Sequence, residues 1–131
     1  MKFDNDWLDE LSARARSTER LRISYDMRTS EADGSQRMFN ALEPGTVLPI
    51  HRHQKTAETV VIVRGRLRET FYDEHGTATE TFVLSHEGGC VALQVPPGVW
   101  HNAESLEPGT VIFEAKDGAY EPLTECDLLK R

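Results

Sequence analysis

The chain has 131 residues, enough for one domain with its own core, because a chain of this length hides roughly two-thirds of the surface its unfolded form exposes. Asp and Glu outnumber Lys and Arg by 22 to 15, a formal charge of −7, which works against binding phosphate backbones, so nucleic acid is not expected as a partner. No run of about 18 apolar residues predicts a membrane-crossing helix, and the opening MKFDNDWLDE lacks the order of a signal peptide; a cytoplasmic protein with no membrane partner is expected, with Cys90 and Cys126 as reduced thiols.

Residues 4–16 read as a helix. Asn5 is a candidate cap, Asp6, Asp9 and Glu10 suit the positive end of the helix dipole, and Leu8, Leu11 and Ala15 share one face. From Gln36 the period shortens. The segments QRMFNAL, PIHRH, ETVVIVRG, RLRETFYD, TETFVL, CVALQV, HNAES and TVIFEAK read as strands, separated by the turn signals EPGT, RG, DEHGT, HEGG, PPG and a second EPGT. Short strands spaced this evenly predict an all-β barrel or jelly roll over about 36–116, within a single domain 1–131. Asp73 to Thr77 reads as a hairpin loop with Gly76 at positive φ. Leu42 to Val47 recurs letter for letter as Leu106 to Val111: either a trace of two similar halves or chance reuse of a Pro-Gly turn. The tail from Tyr120 gives no clear signal.

The chemistry concentrates in three histidines and a glutamate. His51 and His53 lie two apart on a predicted strand, so both imidazoles face one side. Glu58 opens the next apolar run, and His101 follows the rigid turn Pro96-Pro97-Gly98. A lone histidine would be an ordinary core or surface residue, but three imidazoles and a carboxylate are a ligand set for a divalent transition metal. The spacing resembles the two signature motifs of the cupin superfamily. Gly45, His51, His53, Glu58 and Gly65 fill every fixed position of the first motif; Pro96, Gly98 and His101 fit the second, where Cys90 stands in place of a Gly and Ser105 in place of an Asn. The resemblance implies a cupin double-stranded β-helix, or jelly-roll, barrel with the short N-terminal α-helix outside it. It also implies a metal held by His51, His53, Glu58 and His101, and a homodimer. QRMFNALEPGTVLPIHRH, PPGVWHNAESLEPGTVIFEAKDG and the helix-first layout are similar, more narrowly, to the WbuC family of cupin-fold metalloproteins, which is associated with bacterial surface-polysaccharide gene clusters.

The expected metal is Fe, Mn, Ni, Co or Zn, with a position left open for a small-molecule ligand; a closed structural zinc site usually carries cysteines, and none is in this set. Such an ion would polarise a small polar or anionic molecule, such as a hydroxy acid, a sugar or a sugar nucleotide. The expectation is a metal-dependent isomerase, epimerase or oxygenase, with a non-catalytic binding or sensing module as the alternative. A spare Tyr, His or Glu inside the barrel, within hydrogen-bond reach of an open metal position, would favour the enzyme, and a wholly apolar lining would favour binding, since no general base apart from the ligands stands out. Asn40, Gln36 and Asn102 are candidates to hold the imidazoles, Trp100 a candidate pocket wall, and Arg37 a candidate anion clamp. Arg66 and Arg68 read as a solvated edge, His75 and His86 as exposed, and Cys90 as a small packed hydrophobe.

Overall fold

Alternation of inward and outward side chains along short strands closes two antiparallel sheets into the expected jelly roll. The computed structural model describes residues 1–129. Helix α1 (Asn5–Arg16) precedes β1 (Arg22–Asp26), β2 (Ser35–Leu42), β3 (Glu58–Arg64), β4 (Leu67–Tyr72), β5 (Ala78–Leu84), β6 (Ala92–Val95), β7 (Trp100–Ser105) and β8 (Thr110–Asp117), and a 3-10 turn (Glu125–Asp127) follows. One sheet has the order β1-β2-β8-β3-β6 and the other β5-β4-β7. None of the described helices is long and apolar enough to cross a membrane.

Three readings of the sequence are corrected. The helix is capped by Asp4, whose carboxylate accepts from the Trp7 N–H at 3.0 Å; Asn5, the expected cap, is already inside the first turn. PIHRH is not a strand. His51 makes only isolated bridges, to His101 and Leu128, because Pro49 has no N–H to give a ladder and the Arg52 N–H goes to Asp127 O at 3.1 Å. Conversely, RISYD forms β1, which pairs with β2 from Arg22↔Leu42 to Asp26↔Met38. Its register is set by a neighbour already in place, so the sheets begin well before residue 36.

The larger sheet has two buried faces. On the outer one, Phe39, Ala41 and Val111 receive Leu8, Leu11 and Ala15 of α1, with Phe3, Trp7 and Tyr25 packed around them. Burying side chains such as these leucines contributes about 1.5–3 kcal/mol each, which docks the helix. The inner face is graded along the strands. At one end Leu42, Ile62 and Ile112 meet Leu67 and Leu84 of the smaller sheet in a dry cluster. Toward the other end the rows turn polar: Met38↔Glu114↔Val60, then Gln36↔Lys116↔Glu58.

The repeated hexapeptide builds one turn twice. The Thr46 hydroxyl donates to Glu43 O at 2.7 Å and the Thr110 hydroxyl to Glu107 O at 2.8 Å, with Gly45 and Gly109 at φ 97° and 79°. The turns meet where the Gly109 N–H donates to Glu43 Oε2 at 2.7 Å, and Arg16 of α1 pairs with the same carboxylate at 2.8 Å. Gly65, which ends the first motif, sits at φ 86° against this structure. A Cβ there would lie 2.6 Å from Thr110 Cα, so only glycine fits.

Candidate metal centre

Backbone pairing brings the histidines together. The His51 N–H donates to His101 O at 3.0 Å and the His101 N–H to His51 O at 2.8 Å, while Gly98 of the Pro-Pro-Gly turn donates to His53 O at 2.8 Å. The two motif regions are therefore stitched across the barrel mouth. The ring centroids of His51 and His101 are 4.3 Å apart, those of His51 and His53 5.3 Å, and those of His53 and His101 5.8 Å. One ligand nitrogen from each ring lies within 4.8 Å of the other two. Glu58 stands beside them, its Oε2 3.2 Å from His53 Nε2 and 3.8 Å from His101 Nε2.

The imidazoles are aimed by backbone. His51 Nδ1 is 3.0 Å from Pro49 O and His101 Nδ1 2.9 Å from Val99 O. A carbonyl only accepts, so both Nδ1 atoms carry the proton and both Nε2 atoms keep a free lone pair. His101 Nε2 is buried with no hydrogen-bond partner, and such a group in a native fold calls for one. Two rings anchored through Nδ1, an orphaned ring nitrogen and an adjacent carboxylate together fit a divalent cation.

Burial, helped by the neighbouring His101, pulls the His51 pKa down to about 4, leaving that ring neutral and able to ligate at neutral pH. Burial raises the Glu58 carboxyl, but the adjacent His101 and His53 rings, with the Lys116 cation, outweigh it and hold Glu58 well below the usual range. The neighbouring Glu58 carboxylate in turn lifts His101 against its own burial. Lys116 Nζ adds a cation 3.9 Å from Glu58 Oε2. Glu114 is pushed well above the ordinary range by burial and by the Glu58 charge, so it is a neutral acid, and it accepts from Asn40 Nδ2 at 2.8 Å.

A cavity of about 770 Å³ opens over the triad, with Glu58, Glu69 and Glu114 in its walls. Glu69 is missing from the sequence reading, as are Glu114 and Lys116. The signal was present: Glu69 has the inward parity of Leu67 and Phe71 on β4, and Glu114 and Lys116 that of Ile112 on β8. Across the mouth runs the tail. Besides the Arg52–Asp127 backbone bond, the Leu129 N–H donates to Ile50 O at 2.9 Å and Gln54 Nε2 to Asp127 Oδ1 at 2.6 Å.

Several side expectations fail. Gln36 Nε2 donates to Gly118 O and Asn102 accepts from the Tyr72 hydroxyl, so with Asn40 on Glu114 none of the three holds an imidazole. Arg37 is no free anion clamp, since Met27 O and Asp33 occupy its guanidinium. Trp100 lies outside the cavity walls, under Arg52 at 4.4 Å. Cys90 is exposed, because it sits in the turn before β6. His75 and His86 are exposed, as expected.

A family model described as a domain of unknown function (DUF6016) matches residues 3–84. No curated protein matches the chain. Among solved structures, KdgF from Halomonas sp. is similar with a TM-score of 0.62 at 15% identity, over 79% of this chain and 85% of that one. The capsular polysaccharide assembling protein CapF from Staphylococcus aureus gives 0.65 at 20%, over 81% and 29%. Recombinant oxalate oxidase in complex with glycolate gives 0.62 at 16%, over 82% and 55%. The chain thus spans under a third of CapF and about half of oxalate oxidase; at these identities the likeness establishes the cupin jelly-roll fold.

Proposed function

The chain belongs to the DUF6016 family, a description that carries no activity, and from its site we propose that it is a metal-dependent cupin enzyme acting on a small polar molecule. His51, His53 and His101, with Glu58 beside them, would hold one divalent ion, Fe, Mn, Ni, Co or Zn. The observation carrying this reading is the convergence of three imidazole nitrogens within 4.8 Å, two with Nδ1 fixed on a backbone carbonyl. When bound, the ion supplies a Lewis acid that polarises a coordinated oxygen. The chain does the rest: the cavity walls orient the ligand, Glu58 balances charge, Lys116 steadies Glu58, and Glu114 holds a proton beside that carboxylate.

What favours the enzyme over a non-catalytic binding module is Glu69, a carboxyl inside the barrel that is not a proposed ligand and is hydrogen-bonded to none of them, though it feels the charges of His101 and Glu58. The sequence similarity to WbuC-family proteins, with the fold likeness to CapF, named for capsular polysaccharide assembly, supports a sugar or sugar-nucleotide intermediate of surface-polysaccharide metabolism as the substrate class.

Elemental analysis of protein purified without added metal tests the centre. Near one equivalent of a transition metal is expected, lost in His51→Ala, His53→Ala and His101→Ala and weakened less in Glu58→Ala, where water can replace the carboxylate. Full stoichiometry in His51→Ala and His101→Ala would refute the assignment.

A further inference from the structure

Glu69 is 3% exposed, and among the described residues no hydrogen bond or ion pair holds its carboxyl. It faces inward from the middle of β4, opposite Ala103 of β7 and one inward position from Phe71, which pairs with His101. It therefore stands on the wall adjoining the triad, in the same cavity. Its oxygens open only onto the cavity, and a carboxyl desolvated to this degree opposes folding. The packing does not require it, since Leu67 and Phe71 fill the neighbouring inward positions of the strand with apolar groups.

Resting on the metal-site reading above, we infer that Glu69 is the ligand-contacting residue of the cavity and that its missing partner is a hydroxyl of the molecule docked at the triad. The cavity's own groups favour that class. Glu58 lines it with carboxylate oxygens, which only accept, and the cation Lys116 is already placed on Glu58. A second carboxylate on the ligand would bring acceptors only, whereas a hydroxyl both donates and accepts, which suits a carboxyl.

The test compares D-gluconate with hexanoate, the same six-carbon carboxylate without hydroxyls, by titration calorimetry on the full-length metal-loaded protein. Wild type should prefer gluconate by about tenfold or more, the worth of one good hydrogen bond in a dry site. Glu69→Leu should bring the ratio near unity, and Glu69→Gln should keep part of it, both with unchanged metal content. A wild type without this preference, a Glu69→Leu variant that retains it, or tighter binding of 6-aminohexanoate than of gluconate would each overturn the inference. Metal-free protein gives an independent arm. Removing an unpartnered carboxyl should raise the melting temperature of Glu69→Leu, and a fall would show a packing role and overturn the inference. If wild type takes up no metal, the metal reading fails by itself and this second arm alone decides the case of Glu69.

Discussion

The two ends of the barrel interior stand on the same strands and differ in almost every property. At the dry end Leu42, Ile62, Ile112, Leu67 and Leu84 interlock with no polar group among them. Two rows further along β2, β8 and β3, the same inward positions carry Gln36, Lys116 and Glu58, and the facing sheet adds Glu69 and His101. The first end stabilises the fold. The second opposes it, because carboxyls and imidazoles leave water there for incomplete compensation. The N-terminal helix deepens the contrast, adding a second apolar layer behind the sheet. A strand period of two fixes which residues point inward, and the choice of residue at each inward position then separates scaffold from chemistry.

That division can be broken by substitution. Ile62→Ala, in the dry cluster, should destabilise the protein by about 3 kcal/mol through lost burial and a cavity and leave metal affinity unchanged; chemical denaturation with metal titration on the same sample checks both, and a coupled loss of metal would erase the distinction. Gly65→Ala should cost roughly 2–3 kcal/mol, since it combines positive φ with overlap on Thr110, again without touching the ion.

At the polar end the sign reverses. Glu69 is raised to about 8 from an ordinary 4.5, so between those pH values the folded protein keeps a proton that the unfolded chain releases. Metal-free wild type therefore loses stability from this group as pH rises through that window. Glu69→Gln does not titrate, and its melting temperature relative to wild type should increase from pH 5 to pH 8, by the equivalent of about 2 kcal/mol after allowance for relaxation around the site. A constant difference would mean that Glu69 ionises normally. The smallest effect is expected at the mouth. Asp127→Ala removes the contacts to Gln54 and Arg52 and should speed proteolytic cleavage after Tyr120 with little change in global unfolding; equal cleavage rates would show that the tail is held by its backbone bonds alone.

The convergence of the three histidines was legible because it depends on spacing. Two residues apart on an extended segment share a side whether or not that segment joins a ladder, so His51 and His53 converge even though PIHRH forms no strand. The turns were legible because Gly45, Gly65, Gly76, Gly98 and Gly109 mark positive φ. The carboxyls were harder to find. A glutamate in RLRETFYD or TVIFEAK looks solvent-facing, since charged residues are almost never fully buried without partners, and only the inward parity of the whole strand says otherwise.

Local order thus came from the chain itself: where it turns, which side each residue takes along a strand, and which side chains have the chemistry and spacing of ligands. Folding in three dimensions decided what meets what. It paired β1 with β2, set His101 against His51 fifty residues away, drew Glu58, Glu69 and Glu114 into one cavity and laid the tail across its mouth. The reason is physical: each of these outcomes is a contact between strands distant along the chain, and its energy depends on neighbours that no local pattern contains.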